Sequence, residues 1–575
     1  MNARIMLALV ALAAPAVLSA QSNEDLKKQI EQLKVQLKAV EEKANAAQEL
    51  DTRLVKVETK VAGDNIQWGG DLRTRFESST WTFKPYQQFM GFAQNPGIPG
   101  NPYPFMALTQ QVPGQDYTNS VQWSTRLRLK MGITINEHAK IMGRLSMYKV
   151  HGGADVPTFN GSPSTVQNSF TSAKVPGTDV LHVERASLVY DFPMAILSIG
   201  RQNTSDGPPF EVKEGTERQA TPQALAVNAQ VDGIGLKFPL EKLGLPEGTL
   251  LGICYGVGYE SGFGGGGNVK ASAAPVGFNF FTGSNDGSVA TQAQMTPQLH
   301  VANIGPLKDT TVLGAMFDMP LLFQLGESVQ SANFYLGFNR MGNMTDIPYG
   351  STNNFPVPAM PGMGGMPSTQ YVTATTNLGD IDQWTATWKH KIGDTFTYFA
   401  SYGHIKSNPN GQESKYGAYF NMPPVVPPGY PSGPNAQLAG FGGLLGDSKK
   451  SQTASAYYVG MRWDPIQTFG VGVEFNHGSP RWWTYSPATG EATEKLSTRG
   501  DVWEGYIHWQ FAKNAAFRLG YLDYKYSHAF SGWHISPSPM QGSWEDAFDL
   551  SKNPMLQYGF PAAVKTMYAS IEVKF

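Results

Sequence analysis

From Asn65 onward the chain alternates, and the polar half of the alternation carries full charge. In 66–76, one set of positions holds Ile66, Trp68, Gly70, Leu72, Thr74 and Phe76; the other holds Gln67, Gly69, Asp71, Arg73 and Arg75. The next such stretch places Trp123, Thr125, Leu127, Leu129, Met131, Ile133 and Ile135 on one face and Ser124, Arg126, Arg128 and Lys130 on the other. A period of two is the signature of a β-strand with distinct faces. A soluble sandwich also alternates, but its polar face meets water and its apolar face a packed core that unpaired charge would disrupt. Here aromatics crowd the strand ends on the apolar face, as in the interfacial girdles of barrels that cross a bilayer. The fold class expected is therefore all-β: a transmembrane antiparallel barrel with lipid outside and charge inside. Composition agrees. Charged residues make up only 16% of the chain and aromatics 12%, against about 25% charged in ordinary globular proteins.

Further strands follow at 140–150, 181–192, 196–203, 228–239, 248–260, 331–341, 381–391, 395–405, 455–464, 468–477, 501–511, 515–526 and 564–575. Short connections such as 136–139, 192–195, 391–394, 464–467 and 512–514 alternate with long Gly/Pro/Ser/Asn-rich ones at 78–119, 151–180, 204–227, 261–300, 342–380, 406–454, 478–500 and 527–563. Counting up and down from both ends leaves one downward strand to find between 248–260 and 331–341. The stretch 309–319 is the choice, with Met319-Pro320-Leu321 opening the turn. The total is sixteen, an even number as single-chain bacterial barrels have; it becomes eighteen if 296–304 also pairs.

The N-terminal 63 residues are different. Residues 1–20 read as a signal peptide: Arg4, an apolar run from Ile5 to Leu18, then Ser19-Ala20. That run falls short of the ~18–20 residues a spanning helix needs. Residues 21–63 read as a periplasmic coiled coil. Apolar residues at Leu26, Ile30, Leu33, Leu37, Val40, Ala44 and Ala47 are spaced alternately four and three apart, and the seam resumes at Leu50, Leu54, Val57 and Val61 after a three-residue step. Such a seam needs a partner. Self-association, most simply a homotrimer, is one reading; a stalk lying on its own barrel or on peptidoglycan is the other. The domains expected are thus 1–20, 21–63 and a barrel over 64–575.

The last nine residues place Met567, Ala569, Ile571, Val573 and the terminal Phe575 on one face. This resembles the last-strand signature of Gram-negative outer-membrane proteins, and the resemblance implies recognition by the barrel-assembly machinery. Several internal segments are similar to a family of poorly characterised porins with a signal peptide, a short coiled coil and a barrel: 69–76 (Gly-Gly-Asp-Leu-Arg-Thr-Arg-Phe), 183–186, 197–202, 473–479 and 517–521. The similarity runs from about residue 24 to the end, and each motif is short. It implies a channel for small solutes in the bacterial outer membrane and names no solute.

Channel selectivity resides in charges that line the narrowest part of a pore. Inward positions on the first three strands hold Arg73, Arg75, Arg126, Arg128, Lys130 and Arg144, a candidate basic wall; Arg201, Lys237, Arg462 and Arg518 add positive charge farther round. Inward acids are Asp71, Glu474 and Glu504. The third long connection holds Asp206, Glu211, Glu214 and Glu217. In general porins the third loop folds inward and sets acids opposite arginines; if 204–227 does so, the constriction carries a transverse field. A modest anion preference is the expectation, against the alternative that the arginines simply pair with acids.

Other chemistry is thin. The single cysteine, Cys254, rules out an intramolecular disulfide, a four-cysteine zinc site and covalent haem attachment. The ten histidines lack ligand spacing, so neither metal nor cofactor is expected. Gly262-Phe263 and the following four glycines lack the Lys-Ser/Thr of a phosphate loop. No nucleophile signature suggests an enzyme, and a net charge of -2 gives no bulk attraction to nucleic acid. The function expected is passive, weakly selective diffusion of small hydrophilic solutes or ions. The alternatives are a structural tether or adhesin, and the barrel sheath of an electron-transfer complex with separate cytochromes.

Overall fold

The computed structural model describes residues 66–83, 85–94, 105–151, 181–203, 230–259, 307–325, 328–345, 353–357, 368–372, 377–412, 450–482, 495–527 and 561–575, with Leu225, Leu445, Thr484 and part of 27–38. The chain divides into two units, 1–67 and 68–575. In the first, the described positions within 27–38 are helical, and the seam residues Ile30, Leu33 and Leu37 are exposed. Leu26, Val40 and Leu54 of the expected seam, and the signal segment 1–20, lie outside the described residues.

The second unit is built of strands. They are β1 (Ile66–Phe83), β2 (Tyr86–Gln94), β3 (Phe105–Val112), β4 (Gln115–Thr134), β5 (Ala139–Val150), β6 (His182–Asp191), β7 (Ile196–Asn203), β8 (Gln230–Pro239), β9 (Leu250–Tyr259) and β10 (Thr310–Leu325). Then come β11 (Ser328–Thr345), β12 (Asn353–Val357), β13 (Ser368–Val372), β14 (Asn377–Ile392), β15 (Phe396–Pro409), β16 (Thr453–Ile466), β17 (Phe469–Gly478), β18 (Gly500–Ala512), β19 (Ala515–Tyr526) and β20 (Pro561–Lys574). Sixteen of them close into one antiparallel barrel in the order β1, β20 down to β14, β11 down to β4. The other four form two hairpins, β2 with β3 and β12 with β13, inside the first and fifth long connections. A closed barrel leaves no unpaired edge, so every strand can satisfy its backbone N–H and C=O groups without water.

Closure depends on the two chain ends of the barrel. β1 runs against β20 from Asp71 opposite Lys574 to Phe83 opposite Pro561. Gly70 and Phe575 exchange two backbone hydrogen bonds of 2.9 and 3.1 Å. Gly70 has to be glycine for this: a Cβ there would sit 2.5 Å from the Arg128 carbonyl oxygen and 2.5 Å from the Phe575 ring.

The barrel's polarity is inverted relative to a soluble protein. Leu72, Phe76, Trp123, Ile199, Met567 and Phe575 are exposed on the outside, whereas Asp71, Arg73, Arg75, Arg128, Glu474 and Glu504 are buried on the inside. Exposed large apolar surface over buried charge is the informative departure from the usual rule. Among the described residues no helix is long and apolar enough to cross a membrane.

Two expectations need correction. β10 does not stop at Met319: it continues through Pro320 to Leu325 and pairs with β11 along its whole length. Its partner on the other side ends at Leu250 opposite Asp318. Pro320 therefore sits where β10 has only one neighbour, and its missing N–H costs no bond on the open side. Arg201 does not face the lumen. It shares the outer face of Ile199, and two of its nitrogens lie 2.8 Å from the Asp232 carboxylate. A charge near a strand end can face outward when it brings its own counter-ion. The stretch 296–304, the source of the eighteen-strand alternative, lies outside the described residues.

Candidate functional site

The lumen is the candidate site, and its two sides differ in chemistry. On one side β1, β4 and β5 present the six expected bases, each with a partner. Asp71 of β1 is the hub. It lies 3.0 Å from Arg126, 2.9 Å from Arg128 and 3.9 Å from Lys130. Arg126 also reaches Glu572 of β20 at 3.6 Å. Arg144 pairs with Glu184 of β6 at 2.7 Å. Arg75 pairs with Glu77 at 2.8 Å and stacks over the Tyr568 ring at 3.9 Å. Arg73 donates to the Tyr148 hydroxyl at 3.3 Å. The wall is thus a compensated ladder, in which six bases face Asp71, Glu77, Glu184 and Glu572 and leave an excess of positive charge. In the pairing of β4 with β5 Lys130 lies opposite Arg144, and in that of β1 with β20 Arg73 lies opposite Glu572, so inward residues of neighbouring strands meet. Alternation alone places them all inside, but the pairing follows from which strand lies next to which.

Across β16, β17 and β18 runs a second network that local sequence does not suggest. Lys495 belongs to the connection 479–499, in a short 3-10 turn at Lys495–Ser497. Its ammonium lies 2.5 Å from Glu474 of β17 and 2.6 Å from Glu504 of β18, and all three side chains are about fully buried. The Tyr458 hydroxyl of β16 donates to Glu474, and Tyr568 of β20 donates to Glu504 at 2.6 Å. Arg75, Tyr568, Glu504, Lys495, Glu474 and Tyr458 therefore form one polar chain across the barrel wall.

The same connection packs an apolar plug against the opposite side. Leu225 of the third long connection, Leu445 of the sixth, and Trp482 and Leu496 of the seventh are all buried in one cluster. Their neighbours are inward residues of β11, β14, β15 and β16, including Tyr335, Ile381, Phe399, Ile405 and Ala456. Trp482 donates its indole N–H to the Leu496 carbonyl at 2.8 Å, and Arg499 Nε donates to the Trp482 carbonyl at 3.0 Å. Gly403 makes room: a Cβ there would fall 2.6 Å from the Trp482 ring and 3.1 Å from Leu225. The inner face of this half of the barrel is thus apolar where loops cover it. The one sequence hint was the pair Trp482-Trp483 within a polar connection.

The other expected site residues divide by place. Asp206, Glu211, Glu214 and Glu217 lie outside the described residues, although Leu225 of the same connection is inside the barrel. Met567 and Ile571, with Phe575, are exposed on the outer face of the last strand and its end; Ala569 and Val573 share that face and are half-buried. Cys254 faces inward opposite Gly235 and Gly314. Among the described residues no group of His, Cys, Asp or Glu is arranged to hold a metal.

A family model described as a protein of unknown function (DUF3373) matches residues 116–575, well over half of the chain. The chain belongs to that family. The match begins within β4 and so leaves out β1, the strand that carries Asp71, Arg73 and Arg75. No curated protein matches the sequence. Among solved structures the chain is similar to OprB of Pseudomonas putida, at 7% identity over 90% of this chain and 96% of that one, with a TM-score of 0.41. It is similar to OmpF of Salmonella typhi in complex with daunomycin, at 7% identity, 89% and 97% coverage and a TM-score of 0.38. It is also similar to the in-vitro folded trimer form of OmpT, an outer membrane protein of Vibrio cholerae, at 10% identity, 89% and 99% coverage and a TM-score of 0.36. The barrel assignment rests on the strand pairing of this chain and not on these likenesses.

Proposed function

We propose that this protein is a porin of the bacterial outer membrane, through which small hydrophilic solutes and ions diffuse passively. The observation that carries the reading is the inverted polarity of a closed sixteen-strand barrel, apolar outside and charged within. A lipid-facing exterior requires a spanning barrel, and a lumen lined with Arg, Lys, Asp and Glu has no purpose in a solid core but does suit hydrated solutes. The inward-packed residues Leu225, Leu445, Trp482 and Leu496 narrow the lumen from one side, and the β1–β4–β5 ladder forms the other. Solutes pass between an apolar plug and a wall with excess positive charge, which favours anions weakly. Swelling of proteoliposomes in sugars of increasing size tests the filter, and reversal potentials in a salt gradient test the sign. Swelling in small sugars with a cut-off, and a reversal potential on the anion side, are expected. No swelling in any sugar refutes the channel; cation selectivity refutes the charge argument.

The helical segment supports self-association in the same reading. Ile30, Leu33 and Leu37 expose an apolar seam that two further copies would cover in a trimer. Removing 21–62 should reduce the trimer to monomers by light scattering; a truncated protein of unchanged stoichiometry shows that the barrels associate without it. On its outer face the last strand offers Met567, Ala569, Ile571, Val573 and Phe575 to the assembly machinery.

A further inference from the structure

At the short-turn end the lumen opens into a recess of about 540 Å³ formed by β14, β15, β16, β18, β19 and β20. Its charge differs from that of the compensated ladder. Lys389, Lys391, Arg462, Lys513, Arg518 and Lys574 line it, against only three carboxylates, Asp394, Asp464 and Glu572. Each of those acids already has a lining base nearby: Asp464 lies 2.6 Å from Arg462, Asp394 lies 3.6 Å from Lys391, and Glu572 lies 3.8 Å from Lys574. Summed over the lining residues alone, with His508 counted as neutral, the charge is +3.

Its construction is local. The turns at 393–395, 467–468 and 513–514 bring Asp394, Gln467, Lys513 and Asn514 to the rim, while alternate residues of the strands supply the walls. Gly470 of β17 leaves the gap in which the Arg462–Asp464 pair lies: a Cβ there would meet Asp464 at 2.2 Å and Arg462 at 2.6 Å. The Arg462 side chain is buried there. Neutral donors, Thr397, Gln467, Gln510 and Asn514, complete the lining. A cleft of one sign inside low-dielectric walls concentrates counter-ions, and this volume falls within the ~300–1,000 Å³ of small-molecule sites.

We infer that this recess binds a small organic anion bearing two or more negative charges, and that it forms a docking site at the short-turn mouth of the lumen. The inference deepens the porin reading and rests on it, because a docking site at this mouth serves passage only where the lumen behind it is open. A singly charged ligand answers only part of a lining that sums to +3, and a large polyanion would not fit. Lys391, Lys513 and Lys574 extend from the rim on flexible stems that can close on a ligand, while Arg462 and Arg518 are fixed in the wall.

Isothermal calorimetry on the full-length protein in detergent, with citrate as the probe and gluconate as the singly charged control, tests this without requiring any current. Citrate should bind at low ionic strength, at least tenfold more tightly than gluconate, and salt should weaken it. The triple variant K391Q/K513Q/K574Q should lose roughly tenfold in citrate affinity, while K242Q at the β8–β9 turn, outside the recess, should not change it. These lysines lie at or near strand ends and are partly or fully exposed, and an unchanged β-signal in circular dichroism checks that the variants are assembled. No citrate binding, equal binding of gluconate, or a triple variant as tight as wild type each overturns the inference. A protein that conducts but does not bind citrate overturns only this proposal; a protein that binds citrate but never conducts overturns the porin reading and leaves the site standing.

Discussion

Substituting Lys495 by methionine isolates the lock that holds the plug. Lys495 sits 2.5 Å from Glu474 and 2.6 Å from Glu504, with all three side chains at 1% exposure or less. Methionine keeps the length of the side chain and removes its charge, so two buried carboxylates remain without the cation between them. Breaking a buried pair by deleting one partner costs about 3–5 kcal/mol. That cost falls on the plugged arrangement alone, because displacing the connection 479–499 returns the glutamates to water. At about 1.4 kcal/mol per decade, K495M should shift the balance between plugged and unplugged lumen by roughly two to three and a half orders of magnitude. The triple variant K495M/E474Q/E504Q removes the buried charges together, a change that is often near neutral. Its amides still accept from Tyr458 and Tyr568, so the plugged state should return. Single-channel recording reads both: K495M should spend a larger share of time at a higher conductance, and the triple variant should revert towards wild type. The reasoning fails if K495M conducts like wild type, or if the triple variant behaves like K495M.

Two further substitutions probe closure and the charged ladder. Gly70→Val should prevent the β1–β20 seam from closing, given the 2.5 Å approaches to Arg128 and Phe575; the heat-modifiable compact band of a folded barrel should be lost from unboiled gels, whereas Thr74→Val on the same face should keep it. Asp71→Asn removes the carboxylate shared by Arg126, Arg128 and Lys130, and should move the reversal potential further to the anion side, a shift that shrinks as ionic strength rises.

The barrel was legible because its strands alternate and because charge marks the inner face. Asp71 and Arg73 flank Leu72, and Arg126 and Arg128 flank Leu127, so one register reading places every side chain. Even the disputed strand at 309–319 was recoverable from parity. The errors came where a second effect acted. Pro320 suggested a stop, but a strand with one neighbour tolerates proline. Arg201 suggested the lumen, but Asp232 opposite it makes the outer face tolerable.

The lumen itself was only half legible. Its charged side follows from the alternation of three consecutive strands. Its plugged side does not, because in β14 to β16 both faces carry apolar residues. Tyr458 faces inward between the outward Tyr457 and Val459, and Phe399 faces inward beside Ala400. The plug residues Leu225, Leu445, Trp482 and Leu496 come from connections without any period, so no pattern announces that they fold inward. Lys495 is likewise an ordinary lysine until the fold sets Glu474 and Glu504 side by side in register.

The most direct measurement is the conductance of the purified full-length protein in a planar lipid bilayer. The account predicts stable stepwise openings, grouped in threes if three barrels insert together, with a modest preference for anions in a salt gradient. Incorporation of folded protein with no conductance at any voltage would contradict it and reduce the barrel to a closed, structural element of the membrane.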